Sequence, residues 1–164
     1  MSRFQERRQK LRKLLKAEGI PALLVSETNN VSYLTGFTGD ASRLLLTPGD
    51  AIVLSDGRFI EQLERECPDL DAEIRLPGTT FPELLERTVG KLKLQLKSIG
   101  LEADVTTLST HEQLVRQLPN VSWVSTRGLV EGLREIKDAE ELAAIRRAID
   151  VAQRAFAVMR AKLV

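Results

Sequence analysis

Six short runs, apolar or alternating between apolar and charged residues and separated by stretches with helical spacing, constrain this chain more than any other feature. The runs are Ala22–Ser26, Arg43–Thr47, Ala51–Leu54, Ala72–Leu76, Ile99–Leu101 and Val121–Val124. Each is too short for a buried helix and reads as a strand. Pro48-Gly49-Asp50 lies between the second and third runs and marks a β-hairpin. Residues 3–18, 82–96 and the stretch from Thr107 or Ser109 carry apolar residues at steps of three and four, as does the segment after Asp56. Strands alternating with helices imply an α/β fold in three layers: a mixed sheet of about six strands with helices on its faces.

Within that frame the turns are placed by residue type. Gly19 and Pro21 end the first helix, whose Phe4, Leu11, Leu14 and Leu15 form its apolar side. Arg7, Arg8, Lys10, Arg12, Lys13 and Lys16 are assigned to its solvated faces. No stacking aromatics accompany these cations, and Glu6 and Glu18 dilute them, so they do not read as a nucleic-acid surface. Tyr33-Leu34-Thr35-Gly36-Phe37-Thr38-Gly39 is expected where a buried strand meets a glycine turn, as is Leu54-Ser55-Asp56-Gly57-Arg58-Phe59. Asp56 is placed as a helix cap. Phe59, Ile60, Leu63 and Cys67 are expected to face one way, and Leu108, Leu114, Val115 and Leu118 to point inward.

From Leu129 the pattern changes. Asp138 with Glu141 three residues on opens a long helix. Its apolar stripe is Leu142, Ile145, Ile149, Ala152, Phe156, Met159 and Leu163. Either that stripe folds back on the sheet, or a partner or a missing following domain covers it. Two segments are therefore expected: an α/β domain over 1–130, then a linker and first helix over 131–164.

Composition excludes several classes. A net charge of +1 gives no global field for nucleic acid. There is no apolar run of membrane-spanning length, and no apolar signal core follows the first residues. One cysteine, Cys67, rules out an internal disulfide and fits a reducing cytoplasm. One histidine, His111, and no paired-ligand spacing argue against a complete metal site.

The ordered wording Asn30-Val31-Ser32-Tyr33-Leu34-Thr35-Gly36-Phe37-Thr38-Gly39, Leu44-Leu45-Leu46-Thr47, Asp56-Gly57-Arg58-Phe59, Ile99-Gly100-Leu101-Glu102 and Leu133-Arg134-Glu135-Ile136-Lys137 resembles the amino-terminal domain of the creatinase, prolidase and Xaa-Pro aminopeptidase family. The resemblance implies a ribonuclease-H-like α/β domain. A catalytic domain would follow it, whose two divalent metals (Mn, Co or Zn) are held by two Asp, one His and two Glu. That ligand block is absent from these residues. The resemblance therefore implies a non-catalytic domain of a proline-specific metallopeptidase, serving homodimer formation and closure of the substrate pocket. A free-standing interaction module of the same fold and a creatinase-like amidinohydrolase domain are the alternatives.

The resemblance further implies that the loop Thr38–Arg43 reaches the active site of a neighbouring subunit. Tyr33, Asp40 and Arg43 are then the candidate substrate-binding residues. Asp40 would attract a free ammonium group and Arg43 a carboxylate, unless both are solvated loop charges. Gly36, Gly39, Asp56 and Arg58 are assigned to structural turns, with Tyr33 packing through a hydroxyl tied to backbone.

Overall fold

The structure is a computed structural model and describes residues 1–92 and 95–162. The chain divides into a unit spanning Met1–Leu133 and a second spanning Arg134–Val164.

Helix α1 (Arg3–Ala17) begins with a reciprocal cap: Ser2 Oγ accepts from Gln5 N, and Gln5 Oε1 accepts from Ser2 N. It delivers the chain to β1 (Leu23–Val25), and α2 (Thr28–Thr35) follows. The hairpin is as expected: β2 (Arg43–Leu46) pairs antiparallel with β3 (Ala51–Asp56). Thr47 and Asp50 close its turn through a 3.0 Å backbone bond and a 2.9 Å side-chain bond. A 3-10 turn (Gly57–Phe59) leads into α3 (Ile60–Glu66), and β4 (Asp71–Arg75) follows. Then come α4 (Phe81–Lys91), β5 (Ser98–Glu102), α5 (Leu108–Gln117), β6 (Ser122–Thr126) and α6 (Leu129–Glu135).

The six strands form one mixed sheet in the order β4-β3-β2-β1-β5-β6. β1–β2 and β2–β3 are antiparallel, and the other pairings are parallel. Alternate strand residues feed opposite faces, as the two-residue period requires. Leu23, Val25, Leu44, Leu46 and Val53 pack with Leu11, Leu15, Val31, Leu34, Phe37, Leu63 and Val130. Leu24, Leu45, Ile52 and Leu54 pack with Leu84, Leu85, Leu96, Leu114 and Leu118 on the other face. Three layers result, with α1, α2, α3 and α6 on one side and α4 and α5 on the other.

Several expectations are corrected. The stretch Thr28–Thr35 is a helix, so Tyr33 sits on a helix end and not a strand end. Glu27 caps it by accepting from Asn30 N, and Gly36 ends it at φ 84°. A helix this short is formed by its caps and by burial of Val31 and Leu34 more than by propensity. Arg7 and Arg8 are buried at 6% and 4% exposure, not solvated, because their guanidiniums donate to the Tyr33 and Leu34 carbonyls at the end of α2. Leu108 (74% exposed), Val115 (42%) and Ile60 (42%) face outward. Thr107, not Ser109, caps α5. The helix expected over 82–96 stops at Lys91, and positions 93–94 lie outside the described residues.

In the second unit, α7 (Ala139–Lys162) opens on the anticipated cap. Glu141 N donates to Asp138 Oδ1 at 2.8 Å, and Asp138 N donates to Glu141 Oε2 at 3.0 Å. None of its described residues is buried, and Leu142, Ile145, Ile149, Phe156 and Met159 are all exposed. Leu163 lies outside the described residues.

Candidate functional site

The antiparallel hairpin and the loop after α2 together build a cleft. Gly36 is in the left-handed region, and a Cβ there would come within 2.7 Å of the Phe4 ring. Gly39 is required for space: a Cβ would lie 2.4 Å from the Phe37 ring and 2.9 Å from the Phe59 ring. Those rings meet edge to face, centroids 5.6 Å apart. The glycine backbone therefore crosses an aromatic pair that no side chain could cross.

Beyond Gly39, Asp40 and Ala41 are exposed and Ser42 is buried again, its Oγ 2.6 Å from Ser55 Oγ. Arg43 then enters β2 half-buried. Its guanidinium lies over the Phe81 ring, 3.6 Å from the centroid. Burial lowers the Arg43 pKa below its ordinary value. Among the described residues no carboxylate pairs with it. A partly desolvated cation of this kind favours an incoming anion.

The cleft holds about 280 Å³, and Ser26, Asp40, Arg43, Asp56, Arg75 and Phe81 line it. Asp56 is committed internally. Its Oδ1 accepts from Arg58 N and Nε, each at 3.0 Å, and its Oδ2 accepts from Arg58 Nη2 at 2.8 Å. Hydrogen bonds from the Arg58 side chain, with its backbone N–H and charge, hold the Asp56 carboxyl down at about 2 against the opposing effect of burial. The structure thus brings Asp40 and Arg43 to one cleft. Tyr33 does not line it: its hydroxyl donates to Leu133 O at 3.0 Å, and Arg7 covers its ring at 4.0 Å.

A second polar cluster escaped the sequence reading. Glu102, at the end of β5, is buried and accepts from Ser26 N, Glu27 N at 2.8 Å and Asn30 Nδ2 at 2.6 Å. Asn30 Nδ2 also donates to Glu131 Oε1 at 2.6 Å. Burial pushes the Glu102 carboxyl above its usual range. This carboxylate fastens the β1–α2 junction, and the sequence signal was a lone acid at the end of an apolar strand. His111 lies in a separate shallow cleft with Leu108 and Trp123. Among the described residues no group of three His, Cys, Asp or Glu side chains is placed to hold a metal.

Residues 7–136 match the family described as the Creatinase/Prolidase N-terminal domain. An uncharacterized peptidase of Bacillus subtilis, YqhT, is 29% identical over 153 residues, covering 90% of this chain and 41% of the relative. The N-terminal domain of the cytoplasmic peptidase PepQ from Mycobacterium tuberculosis superposes with a TM-score of 0.69 at 32% identity, covering 78% of this chain and 98% of that one. The Xaa-Pro dipeptidase from Bacillus anthracis gives a TM-score of 0.85 at 25% identity, over 93% of this chain and 42% of the enzyme. The chain spans about two-fifths of the length of three curated relatives it matches.

Proposed function

Because this chain belongs to the creatinase/prolidase N-terminal domain family, we propose that it is the non-catalytic front domain of a proline-specific metallopeptidase, closing the substrate pocket of a neighbouring subunit. In this reading residues 1–130 are that domain, and residues 131–164 lead into a catalytic domain that carries two divalent metals. The observation that carries it is the cleft beside β2, where Asp40, a carboxylate with no hydrogen bond among the described residues, lines the same cleft as a half-buried guanidinium, Arg43. A peptide terminus has the matching charges: an ammonium for Asp40 and a carboxylate for Arg43. The preceding turn fits this reading, because Gly39 lets the loop pass close to the Phe37 and Phe59 rings on its way to Asp40.

The homodimer is proposed on the same footing. It brings the cleft of one protomer to the catalytic domain of its partner.

The test has two parts. The 164-residue chain, given Mn²⁺, Co²⁺ or Zn²⁺ and Xaa-Pro peptides, is expected to show no turnover above a metal-free control; turnover would overturn the assignment. In a longer protein carrying the catalytic domain, Asp40→Ala and Arg43→Ala should raise KM about tenfold or more while kcat changes little. That split follows if the lost contact serves binding rather than the reacting atoms. Unchanged KM in both variants would remove the cleft from the substrate path.

A further inference from the structure

The loop that presents Asp40 is fastened on both sides of that residue. On its far side Ser42 is buried against Ser55. On its near side Thr38 directs both of its donors to a single carboxylate on α3. Thr38 N donates to Glu66 Oε2 at 2.9 Å, and Thr38 Oγ1 donates to the same oxygen at 3.0 Å. Gln62 completes the ring, its Nε2 donating to Thr38 Oγ1 at 2.9 Å and to Glu66 Oε1 at 3.1 Å. Together these bonds outweigh burial and hold the Glu66 carboxyl below its ordinary range. Among the described residues the one cation paired with Glu66 is Arg65 at 3.5 Å, on a side chain 74% exposed, and such a pair contributes little. The carboxylate is therefore spent on the loop.

Glu66 is well mounted for this task. The helix that carries it is held by Leu63 and Cys67, at 4% and 3% exposure, in the core beneath. Between the fastened ends only Asp40 and Ala41 reach open solvent, beside the cleft.

We propose that Glu66 is a positioning residue for the cleft: acting through Thr38, it fixes the backbone that presents Asp40 and so sets the affinity for the ammonium end of a peptide ligand. This rests on the reading of the cleft as a site for a peptide terminus. Without the latch, binding must order the loop. Ordering one residue's backbone costs about 1–2 kcal/mol, roughly a tenfold loss of affinity per residue.

The experiment compares wild-type chain, Glu66→Ala, Glu66→Gln and Thr38→Val by NMR, with the dipeptide Ala-Pro as probe. Amide exchange at Gly39, Asp40 and Ala41 is measured without probe, and the dissociation constant from the shifts of Asp40 and Arg43. Glu66→Ala is expected to speed loop exchange and to weaken Ala-Pro about tenfold at an unchanged Tm. Glu66→Gln keeps an acceptor for the Thr38 N–H and should recover most of the affinity. Thr38→Val, which leaves α3 intact, should give an intermediate loss. Wild-type exchange and affinity in Glu66→Ala would overturn the proposal. A wild-type chain whose Asp40 and Arg43 do not respond to Ala-Pro overturns the peptide-terminus reading itself, and the probe-free exchange still reports whether Glu66 holds the loop.

Discussion

At the scale of single residues, the distribution of charge separates groups that hold the fold from groups left available. Asp56 and Arg58 satisfy each other through three hydrogen bonds, whereas Asp40, two residues past the Thr38 latch, has none among the described residues. Asp56 is expected to titrate at about 2 by NMR, and Arg58→Ala should return it towards the ordinary 3.8. The sign follows from a folded-state pKa below the unfolded one: this group's stabilisation is present above 3.8 and is lost as pH falls through about 2. An Asp56 midpoint unchanged by Arg58→Ala would show that the pair does not set it. Cys67 differs again. It is 3% exposed, and burial pushes its thiol up to about 11. Its reaction with a thiol reagent at neutral pH should therefore follow global unfolding and gain nothing from the native state.

Among the elements, α1 and α2 are joined by buried arginines rather than by apolar contacts alone. Arg7 Nη1 donates to Tyr33 O at 3.0 Å and Arg8 Nη1 to Leu34 O at 2.9 Å, carbonyls near the end of α2 that lack helical partners. Arg8 also pairs with Asp69 at 2.9 Å, which ties α1 to the connection after α3. Cations placed at a helix C-terminus favour its dipole as well. Arg8→Ala should cost about 2 kcal/mol in urea unfolding, since it strands a carbonyl and a carboxylate. A loss within a few tenths of a kcal/mol would mean that water replaces the guanidinium. The α6 helix is held to α2 by Tyr33 Oη on Leu133 O and Asn30 on Glu131, so Tyr33 serves the packing of this domain.

On the scale of the whole molecule, α7 carries a stripe of exposed apolar side chains. Ile149, Phe156 and Met159 are 50%, 67% and 63% exposed. The chain is expected to be a dimer by light scattering, and removing residues 139–164 should return a monomer; a monomer of the whole chain at high concentration would contradict this. The six strands, the hairpin and the cap at Asp138 were legible in the sequence because each is written in the residue pattern of a few neighbouring positions. Two-residue alternation and proline–glycine punctuation write such structure locally. The short helices α2 and α6 were not legible, since helices of eight and seven residues are marginal alone and are held by burial of Val31 and Leu34 in one and Val130 in the other. The inward turn of Arg7 and Arg8 was invisible for a related reason. A cation is read as solvated until the fold sets unpaired carbonyls above it. The same holds for the bonds from Thr38 to Glu66 and from Asn30 to Glu102, which join residues 28 and 72 positions apart. Asp40 and Arg43 were singled out through the resemblance, as charges in the loop after Gly39. Their meeting in one cleft with Phe81 was decided by the tertiary structure alone, because only the packed sheet brings α4 over the start of β2.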